Sequence, residues 1–148
     1  MQLLLYMIAA VVVGVMVSAQ PPLNAILSRS VGSAYGATAI SIFVAFCSSL
    51  LLLTATGSGR ITPATLSAVP WWVYLAGVFG AIFVGSGVVI APVTGALVFF
   101  VCIVAGQLMG STIADHFGAF GLEIREASLT RIGGIALVLL GAVMVGKG

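Results

Sequence analysis

Five long apolar stretches constrain this chain more than any other feature. They run from about Leu3 to Leu27, Tyr35 to Thr56, Trp71 to Ala91, Val93 to about Ala114, and Ile132 to Val145. A spanning helix needs about 20 mostly apolar residues, and four of the stretches reach that length. In hydrocarbon a helix satisfies its own backbone, so unbroken runs of this kind fold as spans. A transmembrane barrel would instead alternate apolar and polar residues over segments of about ten. Only 5% of the residues are charged, against roughly 25% in soluble domains. The expected class is an all-α integral membrane protein with five transmembrane helices in one domain, residues 1–148, in contact with lipid.

The polar segments fall between the runs. Residues 57–70 form a loop between the second and third helices. Residues 115–131, DHFGAFGLEIREASLTR, form the main solvated loop and hold all three acidic residues. Pro92 separates the third and fourth helices, which predicts a tight antiparallel hairpin. Trp71 and Trp72 follow Pro70 at the head of the third helix, where amphipathic rings favour the headgroup level. Gly77, Ala81 and Gly85 share one helix face, and Gly106 and Gly110 share another. Such faces let helices approach closely in lipid. Cys47 and Cys102 match no metal or redox spacing, and packing between helices is the expected role for both. The net charge of +2 is scattered, so no nucleic-acid partner is indicated.

The first run is interrupted by SAQPPLNAIL, Ser18 to Leu27. Val17-Ser18-Ala19 imitates a signal-peptidase site, but no Lys or Arg precedes the run and apolar sequence resumes beyond the prolines. The segment is therefore expected inside a span. Pro21 and Pro22 lack N–H groups, so the carbonyls of Val17 and Ser18 lose their helical donors and the helix should bend or open. Broken helices at membrane depth belong where they are buried in protein or line a wet cavity. Gln20 and Asn24, four apart, lie on the same face. Lining a cavity is the reading favoured over interhelical hydrogen bonding alone.

The pattern Q-x-x-L-N-A of Gln20 to Ala25 resembles the end of helix one in the YdcZ-type branch of the drug/metabolite transporter superfamily. Pro70-Trp71-Trp72, VAGQL (Val104 to Leu108), DHFGAFG (Asp115 to Gly121) and the glycine-rich last helix resemble the same branch, so the likeness spans nearly the whole chain. The double proline is heavier than the pattern of that family, which has small apolar residues there. The resemblance implies a five-helix half-transporter of the bacterial inner membrane. An odd number of spans leaves the two ends on opposite sides, so a second half must insert inverted, as in the inverted repeats common among transporters.

Charge agrees with that expectation. Arg60, Arg125 and Arg131 fall on the N-terminal side, and Arg29 and Lys147 on the other. Three against two gives almost no orienting bias. An antiparallel homodimer of dual topology is expected, with a related chain of opposite orientation as the rival partner. Gln20 lies about 25 Å of helix past Leu3, and Gln107 about 21 Å past Val93 on a helix entering from the other face. Inverting one protomer brings Gln20 of one near the level of Gln107 of the other.

The expected function is transport of a small neutral or zwitterionic metabolite through a site at the protomer interface. Gln20, Asn24, Gln107 and Ser41 are its candidate substrate-binding residues. Ser41 is the weakest of these, because a membrane serine often bonds back to its own helix. No Asp or Glu lies within a span, which disfavours carboxylate-centred exchange of cations. Asp115 and His116, at the end of the fourth helix, are the candidates for proton coupling, since carboxylates and imidazoles exchange protons at acidic to neutral pH, although a solvated helix-end pair is the favoured reading of them. The alternative is a non-transporting scaffold or accessory subunit. The spans carry no nucleophile–base pair and no metal-ligand set, so no catalytic, metal or cofactor site is expected.

Overall fold

A computed structural model describes residues 2–57, 59 and 61–147; Arg60, one of the side-counted arginines, lies outside them. Seven α-helices and two short 3-10 turns make up the described regular structure, with no strand among the described residues. Five of the helical segments are long and apolar enough to cross a membrane: Gln2–Val31, Ala34–Thr56, Trp71–Thr94, Ala96–Phe117 and Leu129–Lys147. The expected all-α, five-span class therefore holds. The chain divides into two compact units, Met1–Val93 and Thr94–Gly148.

In the first unit, the leading span is built in two pieces, α1 (Gln2–Ser18) and α2 (Gln20–Val31). Pro21 and Pro22 lie in the first turn of α2, where a missing N–H is least disruptive. The junction is Ala19, whose backbone stays in the right-handed helical region (φ −76°, ψ −18°) while its N–H tightens onto the Met16 carbonyl at 3.2 Å. Gly32 then ends α2 in the left-handed conformation (φ 69°), and its N–H reaches the Ser28 carbonyl. Ser33 is extended and caps α3 (Ala34–Thr56) by accepting the Gly36 N–H at 3.0 Å. Two residues thus reverse the chain, and α2 and α3 pack as a helical hairpin. Ala37 is 0% exposed. Its methyl group is small enough to let two backbones close together, which is how helices associate in lipid.

The polar loop after α3 contains a helix that composition alone does not reveal. In α4 (Pro63–Ser67), the Thr62 side chain accepts the Thr65 N–H, and the Thr65 side chain accepts the Thr62 N–H. Pro63 occupies the first turn. The Tyr74 hydroxyl donates to the Leu66 carbonyl at 2.8 Å and fastens α4 to the turn that follows. That turn, Trp71–Tyr74, carries both tryptophan rings exposed before the chain enters α5 (Leu75–Thr94).

Pro92 does not separate the third and fourth spans; it lies inside α5. A proline so close to a helix end removes one hydrogen bond and leaves only two residues to continue. The joint is Gly95, at φ 83° and ψ 148°, a conformation that side chains resist. In the second unit, α6 (Ala96–Phe117) packs against α7 (Leu129–Lys147), which is longer at both ends than its apolar run suggests. Phe99 and Ala105 of α6 are buried. Cys47 and Cys102 are both exposed on the chain surface, contrary to the expected packing role. They stand among large apolar side chains that face outward, where a thiol behaves as one more small hydrophobe.

Candidate functional site

The hydrogen bonds lost at Pro21 and Pro22 fall beside one polar helix face. Val17, Gln20 and Asn24 follow the i, i+3, i+7 spacing of a single face. The prolines cannot supply donors to the carbonyls of Val17 and Ser18. Pro21 is buried, Gln20 is half-buried, and Asn24 is 6% exposed. Asn24 is the buried polar side chain among the described residues, and its Nδ2 has no hydrogen-bond partner there. An amide nitrogen carries two donors, and withdrawing them from water without a partner costs about 1–3 kcal/mol.

Ser41 departs from the expectation of back-bonding. Five other hydroxyls of α3 donate to carbonyls of their own helix: Thr38 to Ala34, Ser48 to Val44, Ser49 to Phe46, Thr54 to Leu51, and Thr56 to Leu52, at 2.7–2.9 Å. Half-buried Ser41 makes no such bond. The hairpin register relates it to Asn24. Asn24 lies eight residues before Gly32, and Ser41 eight after Ser33. Both are therefore about 12 Å from the turn, at one level of the hairpin. The first unit thus holds Gln20 and Asn24 on one face of α2, and Ser41 on α3 at the level of Asn24.

Gln107 belongs to the second unit. It occupies the middle of α6 and is exposed on the chain surface. Gly106 and Gly110 beside it have nothing within 4 Å of where a Cβ would lie. An amide at this position in a spanning helix cannot stay against lipid without cost, and polar groups at such depth face protein or a wet cavity.

Asp115 and His116 close the loop between α6 and α7. Gly118 ends α6 in the left-handed conformation (φ 59°), and Phe120 takes the same conformation two residues later. The returning chain is then tied back. The Arg125 N–H donates to the Asp115 carbonyl at 2.9 Å, and the Ala127 N–H donates to His116 Nδ1 at 3.2 Å. The Asp115 carboxylate faces Arg131 at 3.6 Å, and Arg131 also donates to the Arg125 carbonyl at 3.3 Å. The sequence marked the first two residues of this clasp. It gave no signal for Arg125, Ala127 and Arg131 as their partners, because those contacts depend on the two left-handed residues.

Two apolar grooves complete the surface. One, of about 480 Å³, lies between α3 and α5 and is lined in part by Thr38, Ala81, Ile82, Gly85 and Ser86. A Cβ on Gly85 would lie 3.6 Å from the Thr38 side chain, so the expected small-residue face does meet a neighbour here. The other, of about 470 Å³, lies between α6 and α7 beside Cys102, Ala105, Gly106 and Met109. Thr38 and Ser86 spend their hydroxyls on the Ala34 and Phe83 carbonyls, so the first groove offers van der Waals contact and little else.

Comparison with known proteins identifies a family. The family model described as "Putative inner membrane exporter, YdcZ" covers residues 5–144. No curated protein and no solved structure matches the chain.

Proposed function

The chain belongs to the YdcZ family of inner-membrane exporters, a multi-pass membrane protein of transporter type, and from that premise we propose that it works as an antiparallel dimer. The site of this dimer lies between protomers and takes a small neutral or zwitterionic metabolite. Each chain acts as one five-helix half. The partner is a second copy, or a related chain inserted the other way up.

The observation that carries this reading is Gln107, an exposed amide at mid-helix in an otherwise apolar span. A partner that covers Gln107 removes the cost of leaving it against lipid. The nearly balanced cationic residues support insertion in both orientations. Gln20, Asn24 and Ser41 supply donors and acceptors from the first unit, and Gln107 from the partner's second. All are uncharged, and so is the site they would form. Asp115 and His116 remain the candidates for proton exchange. Both are engaged in the loop clasp.

Purified protein in liposomes tests the proposal. Flux that is lost in Gln20→Ala or Asn24→Ala, with folding intact, is the expected result. Normal flux in both variants removes the site assignment, and an inert wild type points to the scaffold alternative. Reporters fused to the C-terminus should reveal both orientations. A single orientation eliminates the homodimer.

A further inference from the structure

Most polar side chains of the spans have their hydrogen bonds committed locally. Thr38, Ser48, Ser49, Thr54 and Thr56 bond to their own helix in α3, Ser18 bonds to the Val15 carbonyl, and Ser86 to Phe83. Asn24 and Ser41 differ from these. Asn24 is 6% exposed with Nδ2 unpartnered, and the Ser41 hydroxyl is not spent on its helix. The hairpin register puts the two at one level. About two turns before Asn24 along the same helix, with Val17 on its face, are the carbonyls of Val17 and Ser18, which the prolines deprive of helical donors. Unspent donors and unspent acceptors thus recur within two helical turns.

We infer that Asn24 and Ser41 form the specificity-determining part of the site, which takes small molecules pairing an oxygen acceptor with an N–H or O–H donor. The acceptor, a carbonyl, carboxylate or hydroxyl oxygen, meets the Asn24 amide. The donor meets Ser41 or the carbonyls before the prolines. Amino acids, their amides and small polyols have this chemistry; amines and cations without oxygen do not. A site built to hydrogen-bond a substrate rejects an analogue lacking the group, because its own buried donor then stays unpaired. The inference rests on the transporter reading for its physiological meaning, but binding tests it separately.

The same geometry makes a prediction that needs no ligand. A buried donor without a partner is a liability to the fold, whereas a donor that glues two helices is an asset. Asn24→Leu keeps the volume and removes the donors. The unliganded variant should melt about 2 °C or more above wild type. Wild type should be stabilised by amino acids, amino-acid amides and polyols over their oxygen-free amine and alkane counterparts. That stabilisation should vanish in Asn24→Leu. In Ser41→Ala, a near-isosteric change, the apparent affinity should fall about tenfold with the melting temperature unchanged.

A lower melting temperature in Asn24→Leu makes the amide structural and overturns the inference. Equal stabilisation by the oxygen-free counterparts overturns it as well. Wild-type flux in Asn24→Leu liposomes removes this site and leaves the transporter reading standing. Selective binding by a wild type that carries no flux does the reverse.

Discussion

Replacing Gln107 by leucine should weaken the proposed dimer by an amount that follows from its position. Gln107 is the twelfth of the 22 residues of α6, so it lies within about 1 Å of the helix centre. The core of a bilayer is about 30 Å thick, which α6 spans with little to spare. The amide therefore sits near the midplane, exposed, between glycines whose missing side chains leave room for another helix. Interhelical hydrogen bonds in membranes contribute about 0.6–1.7 kcal/mol each. An interface with twofold symmetry presents the same residue from both protomers. The loss therefore counts twice, about 1–3 kcal/mol, or roughly 5- to 150-fold in the dissociation constant. Leucine preserves the bulk of the side chain, so little of this arises from lost packing. Stepwise photobleaching of labelled protein over a lipid-dilution series measures the constant directly. An unchanged or tighter dimer for Gln107→Leu would refute the assignment of Gln107 to the interface.

Three further outcomes follow from local geometry. Gly57 and Gly118 both sit at φ 59°, but only at Gly118 would a Cβ meet Ile124 at 2.7 Å and the Leu122 carbonyl oxygen at 3.1 Å; Gly118→Ala should cost about 2–4 kcal/mol and Gly57→Ala about 1, read as a clearly larger fall in melting temperature. Ala37→Leu should drive α2 and α3 apart at a cost of about 1–3 kcal/mol and reduce ligand stabilisation in the same thermal assay. Asp115→Asn should cost less than about 1 kcal/mol in that assay, since its 3.6 Å pairing with Arg131 is solvent-screened while its carbonyl still accepts from Arg125.

The spans were legible because their cause is additive. Twenty apolar residues in sequence exclude water wherever their neighbours lie, so α3 and α6 could be bounded within a few residues. Joints and caps depend on single backbone angles, and there the reading was coarser. Pro92 looked like a break, but the break is at Gly95, because a proline near a helix end costs less than a φ of 83° costs any other residue. The helix α4 was legible in principle: Thr62, Pro63 and Thr65 are a capping residue, a first-turn proline and a reciprocal cap. At the proposed site, the periodicity that put Gln20 and Asn24 on one face was sufficient to single them out. That Asn24 would be buried unpaired, and Ser41 unspent, required the register of the hairpin, which the two-residue turn sets.

The two-piece leading span also has a mechanical consequence. Bending a helix strains its backbone ladder, and the ladder has two fewer rungs at the Pro21–Pro22 step than anywhere else in the span. Flexure therefore concentrates beside Ala19, with the 12 residues of α2 acting as a stiff arm about 18 Å long. A 10° swing at that pivot would carry the far end through an arc of about 3 Å. Since Gly32 and Ser33 leave no slack, the start of α3 would travel with it, and the level that holds Asn24 and Ser41 would move as one block.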